Sequence, residues 1–129
     1  MQKFIGTKII HAEEGKAPKR SGDHPEGTDG YRVRYPDGYE SWSPASAFEE
    51  SYRPINGMSF GLAIDAMKNG SKVRLPNWSE EVFIELQVPT GLSKMTAPYF
   101  YVTSRFGAVP WIPTMIEMLS DEWVLIEDT

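Results

Sequence analysis

The chain has 129 residues, 40% of them apolar and 12% aromatic, enough to bury one ordinary core or two very small ones and too many for wholesale disorder. Thirteen Lys and Arg against 18 Asp and Glu give a net charge of −5, which argues against the broad basic face that duplex nucleic acid demands. Cysteine is absent, so disulfides, thiolate nucleophiles and cysteine-bound metals are excluded, and the chain suits a reducing cytosol.

Residues 1–6 carry a lysine but not the apolar stretch of about 7–15 residues that a signal peptide needs. No apolar run approaches the roughly 18–20 residues of a membrane-spanning helix. Phe4, Ile5, Ile9 and Ile10 predict one short strand within residues 3–12. Residues 11–30 are polar, rich in Gly and Pro and without period, so they read as a long loop. Tyr31-Arg32-Val33-Arg34-Tyr35 alternates bulky and charged side chains, as a half-buried strand does. Pro36-Asp37-Gly38 is a turn, with Pro fixing φ and Gly tolerating positive φ, and residues 39–42 return as a second strand. Ser43 as N-cap and Pro44 at the first helical position predict a short helix over 45–52. Arg53-Pro54-Ile55-Asn56-Gly57 breaks the chain and suggests a boundary between residues 1–56 and 57–129.

Ser59 is a good N-cap, and Phe60, Ala63, Ile64 and Met67 share one helical face, with Gly70 placed for a left-handed C-terminal residue. Residues 72–75 predict a short strand stopped by Pro76, and residues 82–88 and 99–103 are strongly β-prone around a loop at 89–98. A short helix within 111–119 and a last strand over 123–126 complete the chain. Short strands interleaved with short helices favour an α+β fold of small antiparallel sheets with two or three short helices.

Catalytic groups are sparse. His11 and His24 are far apart and make a poor metal set, and no nucleophile-elbow, Walker or dinucleotide-binding pattern occurs. Glu13-Glu14, Glu49-Glu50, Glu80-Glu81 and Asp121-Glu122 are adjacent pairs whose side chains diverge, which suits solvated charge better than acid–base work. Neither a catalytic set nor a bound cofactor or metal is therefore expected.

Aromatic residues say more. Trp78 follows Leu75-Pro76-Asn77 just beyond a strand, and Trp111 follows Val109-Pro110 ahead of the last helix. Indoles at element ends can stack on a planar ring, or they can simply close the core. Trp123, heading an apolar run, reads as core. Thr114 and Glu117 fit a capping box, and the same helix start offers N–H groups to a phosphate or ribose. Arg74 and Arg105 are the cations to aim at phosphates, with ordinary surface solubility as their other reading.

Several of these residues recur together in a known family. Met58-Ser59-Phe60-Gly61-Leu62-Ala63 with residues 67–74, then Trp78, then Val109-Pro110-Trp111-Ile112-Pro113-Thr114 and Asp121-Glu122-Trp123, resembles the phage Thoeris anti-defence protein two family. The resemblance covers roughly residues 57–129, and its motifs are specific only in combination. Residues 1–56, with Ile5-Gly6-Thr7-Lys8-Ile9 and residues 35–44, look like an N-terminal module found on many phage proteins. The resemblance implies a sponge rather than an enzyme, acting in the cytoplasm of the infected bacterial host. Family members hold cyclic ADP-ribose isomers uncleaved, and some take up cyclic dinucleotides at a separate site. They assemble as homotetramers with pockets between protomers. Carried over, Phe60, Trp78 and Trp111 become aromatic contacts to the base, and Thr114 and Glu117 become polar contacts to ribose or phosphate. Arg74, Arg105 and Asn77 complete the ligand-binding set. Asn77 stands where the family usually carries Gly, and Ser79-Glu80-Glu81 is more acidic than its family counterpart. A phage structural or adaptor protein is the alternative, motivated by the aromatic-rich hairpin over 35–42.

Overall fold

A computed structural model describes residues 1–6 and 8–127. The chain is α+β and divides into two compact units, Met1–Arg53 and Pro54–Thr129. No helix among the described residues is long and apolar enough to cross a membrane.

In the first unit, β1 (His11–Glu14), β2 (Gly30–Arg34) and β3 (Glu40–Pro44) form an antiparallel sheet in that order, followed by α1 (Ala45–Ser51). The half-buried strand foreseen at Tyr31–Tyr35 is β2, with Val33 turned inward and Arg32 and Arg34 outward. The first strand lies later than the apolar pattern suggests. It begins at His11, while Phe4 and Ile5 stay exposed, because β1 is defined by pairing with β2 and not by burial. All four β1 side chains are exposed, and Glu13 forms an ion pair with Arg32 opposite it.

The segment read as a loose loop is therefore a structured extension of this hairpin. Gly15 N–H donates to Gly30 O at 2.9 Å, Ala17 N–H to Thr28 O at 2.8 Å and Gly27 N–H to Ala17 O at 2.9 Å. Ser43 and Pro44 also differ from expectation. They end β3, with Pro44 opposite Gly30, and no side chain caps α1. An edge strand tolerates the missing proline N–H. Against the sheet, Tyr31 stacks on Phe48 and Phe48 on Tyr52, with ring centroids 4.1 and 5.0 Å apart.

Gly30 is a position where only glycine fits. A Cβ there would overlap the Ser43 carbonyl and the Trp42 indole, whose Nε1 is fixed by a 2.8 Å bond to Gly15 O. Gly30→Ala is expected to destabilise the first unit by about 1–3 kcal/mol, the usual cost of overpacking, as a lower midpoint in chemical denaturation.

The second unit is built on a five-stranded antiparallel sheet in the order β7-β6-β5-β4-β8: β4 (Lys72–Arg74), β5 (Phe83–Gln87), β6 (Tyr99–Ser104), β7 (Gly107–Pro110) and β8 (Val124–Ile126). It also holds α2 (Phe60–Lys68) and α3 (Met115–Met118). Helix α2 starts as foreseen, its Ser59 hydroxyl accepting Leu62 N–H at 3.2 Å, and Gly70 at φ +93° follows its C-terminal end. Ala63, Ala66 and Met67 of α2 are buried with Val73, Leu75, Ile84, Met58 and Trp123 in one core. Register places Val73, Ile84, Val102 and Leu125 on the same sheet face, so successive pairs along the strands reinforce that core.

Strand β7 is the element missing from the sequence reading. It returns from β6 after Arg105-Phe106, with Gly107 at φ +110° opposite Ser104, and it is exposed at every position. A four-residue edge strand ending in proline has no buried alternation to announce it.

Candidate functional site

Three of the aromatic residues singled out above meet in the second unit, and Trp123 joins them. Trp123 is the hub: its ring centroid lies 5.3 Å from Phe60, 5.5 Å from Trp78 and 6.0 Å from Trp111. Trp78 and Trp111 are 6.3 Å apart, and Phe60 and Trp111 6.0 Å, both edge to face. Such geometry sets the positive edge of one ring against the negative face of the next.

Each ring arrives from a different element. Phe60 opens α2, directly after its serine cap. Trp78 comes from the turn after β4, where its N–H donates to Leu75 O at 3.1 Å. Trp111 extends the β7 edge by one residue, its N–H donating to Phe100 O at 2.9 Å. Trp123 forms an isolated bridge with Met58, with both backbone hydrogen bonds made. Trp123 is wholly buried, whereas Phe60, Trp78 and Trp111 are half-buried. The two readings of Trp78 and Trp111 are thus not exclusive. Each packs on the core and keeps part of its ring toward solvent.

The polar candidates divide. Thr114 and Glu117 form the foreseen capping box: Glu117 N–H donates to Thr114 Oγ1 at 3.2 Å, and Thr114 N–H donates to Glu117 Oε1 at 2.7 Å. Their mutual bonds hold the start of α3 in shape. Trp123 Nε1 then donates to Glu117 O at 2.9 Å, tying the box to the aromatic hub. Arg74 lies on the sheet face opposite Val73, and its guanidinium donates to Trp78 O at 3.4 Å. Asn77 is exposed on the turn leading into Trp78.

Arg105 is not brought to this cluster. It sits in the β6–β7 turn, with its guanidinium over Phe106 at 4.7 Å. The pairing of Trp111 with Phe100 puts the tryptophan at the other end of that hairpin, roughly 16 Å away at the rise of an extended strand.

What sequence reasoning missed was the role of Trp123. An indole heading an apolar run announces burial but not which other rings it gathers. Glu80 and Glu81, shortly after Trp78 in the chain, and Asp121 and Glu122, just before Trp123, are exposed. Among the described residues, no three His, Asp or Glu side chains converge on a common point. What this cluster offers a ligand is aromatic surface and the Arg74 charge.

On the sheet face away from the core, Tyr101 faces Glu85 across β5 and β6, and its hydroxyl donates to the Glu85 carboxylate. Burial first, then this hydrogen bond, pushes the Tyr101 phenol up to about 12 from an ordinary 10.0. The folded chain therefore holds this proton where an unfolded one releases it. The stabilisation is complete below pH 10 and is lost as pH rises toward 12. Tyr31, hydrogen-bonded to Glu49, is also raised, so absorbance titration of the wild type against Tyr101→Phe should show a late-ionising tyrosine that the variant lacks. In Glu85→Gln it should ionise earlier, while the share owed to burial persists.

A comparison with curated proteins gave no match for this chain. The family model described as the Thoeris anti-defense 2-like domain matches residues 58–126, which include Phe60, Trp78, Trp111, Trp123 and both members of the capping box.

Proposed function

The chain belongs to the Thoeris anti-defense 2-like family, which gives it an anti-defence role. From that premise we propose that it works as a sponge, capturing a nucleotide immune signal and holding it chemically unchanged. The proposed signal is a cyclic ADP-ribose isomer, with cyclic dinucleotides as further ligands, and the proposed setting is the cytoplasm of the infected bacterial host.

The observation that carries this reading is the convergence of Phe60, Trp78 and Trp111 on Trp123, with Arg74 at the Trp78 backbone. Half-buried rings fixed from behind by a buried one lose little freedom on stacking with a base, so more of the stacking energy survives as affinity. Each stacked base contributes about 1–3 kcal/mol. A sponge acting at nanomolar signal needs about −12 kcal/mol, so two stacks leave most of the affinity to be found elsewhere.

A second copy is the proposed source. Ile112 and Ile116 are 86% and 84% exposed, Met115 and Leu119 are exposed with them, and the neighbouring β7 is a free sheet edge. Apolar side chains presented beside the outer edge of an edge strand suit burial in a homo-oligomer, for which we propose a tetramer. Closure by a neighbouring protomer would remove water from the exposed ring faces.

The test is incubation of purified protein with cyclic ADP-ribose isomers and, separately, cyclic dinucleotides, with free ligand followed by chromatography before and after heat denaturation. Ligand that disappears and returns intact on heating supports a sponge. Ligand that returns altered points to an enzyme. Ligand that never leaves solution supports an adaptor that binds another protein.

A further inference from the structure

An open cleft of about 340 Å³ lies at the β2–β3 turn of the first unit, lined by Lys8, Tyr35, Pro36, Asp37 and Tyr39. Its walls are held by the backbone. Tyr35 N–H donates to Tyr39 O and Gly38 N–H to Tyr35 O, each at 2.9 Å. Asp37 Oδ1 accepts Tyr39 N–H at 2.9 Å, and Gly38 takes φ +89°, a conformation that glycine adopts without strain. The two tyrosines that flank this turn have near-parallel rings, 21° apart in plane with centroids 6.1 Å apart. Over the Tyr35 face lies the Lys8 ammonium, 4.3 Å from the centroid, well within cation–π range.

Lys8 comes from the arm ahead of β1, whose Phe4 and Ile5 remain exposed, so the arm itself buries little. Tyr39 is 65% exposed, and the carboxylate of Asp37 has one oxygen engaged by the Tyr39 N–H. The cleft thus presents two π faces and a carboxylate on a backbone-bonded turn, and the Lys8 ammonium already lines it over the Tyr35 face.

We propose that this turn is a recognition site for an ammonium group, receiving a lysine side chain presented by a partner polypeptide. Lys8, one wall of the cleft, is then the tethered ammonium that occupies the Tyr35 face when no partner is bound. A polypeptide fits better than a free small molecule. Sites for small ligands bury about 70–90% of the ligand surface, which an open cleft at a hairpin tip does not do. A side chain carried on a longer segment draws the rest of its affinity from contacts along that segment.

The test is titration of the full chain with a capped tripeptide containing one lysine and with its norleucine counterpart, followed by NMR of the tyrosine rings. The lysine peptide is expected to shift the Tyr35 and Tyr39 resonances while the norleucine peptide leaves them in place. Lys8→Gln removes the competing occupant and should tighten lysine-peptide binding roughly two- to fivefold. Tyr39→Ala should weaken binding by a similar factor with the far-ultraviolet dichroism unchanged, since the turn is held through the backbone. Equal shifts from both peptides, no shift of either ring, or a Lys8→Gln chain that binds no tighter would each overturn the proposal.

Discussion

Trp123→Ala is expected to unfold the second unit or to leave it on the edge of unfolding. The side chain is wholly buried and touches Phe60, Trp78 and Trp111, so its removal opens a cavity lined by three rings. Large aromatic-to-alanine changes in cores cost about 3–5 kcal/mol. Small domains sit toward the lower end of a stability range of about 5–15 kcal/mol. Loss of Nε1 also removes the shortest bond that Glu117 O accepts, leaving it the Ser120 N–H at 3.3 Å, and unties the capping box from the aromatic hub. Calorimetry should show the melting temperature of this unit falling by more than about 12 °C. Trp123→Phe keeps most of the ring volume and loses the N–H, so its cost should be nearer 1–2 kcal/mol, on the scale of one broken hydrogen bond. If Trp123→Ala cost less than about 1 kcal/mol, the aromatic hub would not be the centre of this core.

The second large effect follows from the proposed sponge role. If the chain captures a nucleotide at this cluster, Trp78→Ala and Trp111→Ala should each weaken its binding roughly 5- to 150-fold, the factor that one lost base–aromatic stack represents. Both rings also pack on the core, so binding must be compared at a temperature where circular dichroism shows the variants folded. Arg105→Ala separates the site from general electrostatics. Its guanidinium lies over Phe106 at the far end of the β6–β7 hairpin, so its removal should leave affinity nearly unchanged. A loss with Arg105→Ala as large as with Trp111→Ala would move the site to the hairpin tip. Isothermal titration of the three variants decides between these placements.

The parts of the fold that were legible in the sequence are those where burial and local chemistry agree. Ser59 caps α2 through its own hydroxyl, Gly70 follows the helix with positive φ, and the β-prone runs that hold Val73 and Ile84 are strands. Strand β1 was hidden because it is defined by backbone pairing with β2, which leaves no apolar period, and its exposed Glu13–Arg32 pair adds little. Of the apolar residues that mimic a strand, Phe4, Ile5 and Ile9 are exposed and only Ile10 is half-buried. Ser43-Pro44 carried a helix-start pattern that pairing with Gly30 overrode. Strand β7 is short, exposed and closed by proline, so local sequence held no signal stronger than the glycine at its turn.

The aromatic cluster was legible in its ingredients and not in its assembly. Trp78 and Trp111 were marked by their positions at element ends, and the Thr114–Glu117 spacing foretold a capping box that is fully formed. That Trp123 would gather them depended on the Met58 bridge and on β8 pairing with β4, contacts between residues distant in sequence. Arg105 shows the converse. A cation one residue beyond a strand end carries no mark of which end of the hairpin its partners occupy.

Three indoles held edge to face within 6.3 Å of one another also have an optical consequence. Transition dipoles at such separations and fixed angles couple as excitons, so the folded second unit should give a paired positive and negative band in its circular dichroism. The fourth tryptophan, Trp42, belongs to the first unit and forms its aromatic contact with His24. Loss of the couplet on heating therefore reports the packing of this cluster alone, and a change in its shape on adding a nucleotide reports a base entering among the rings.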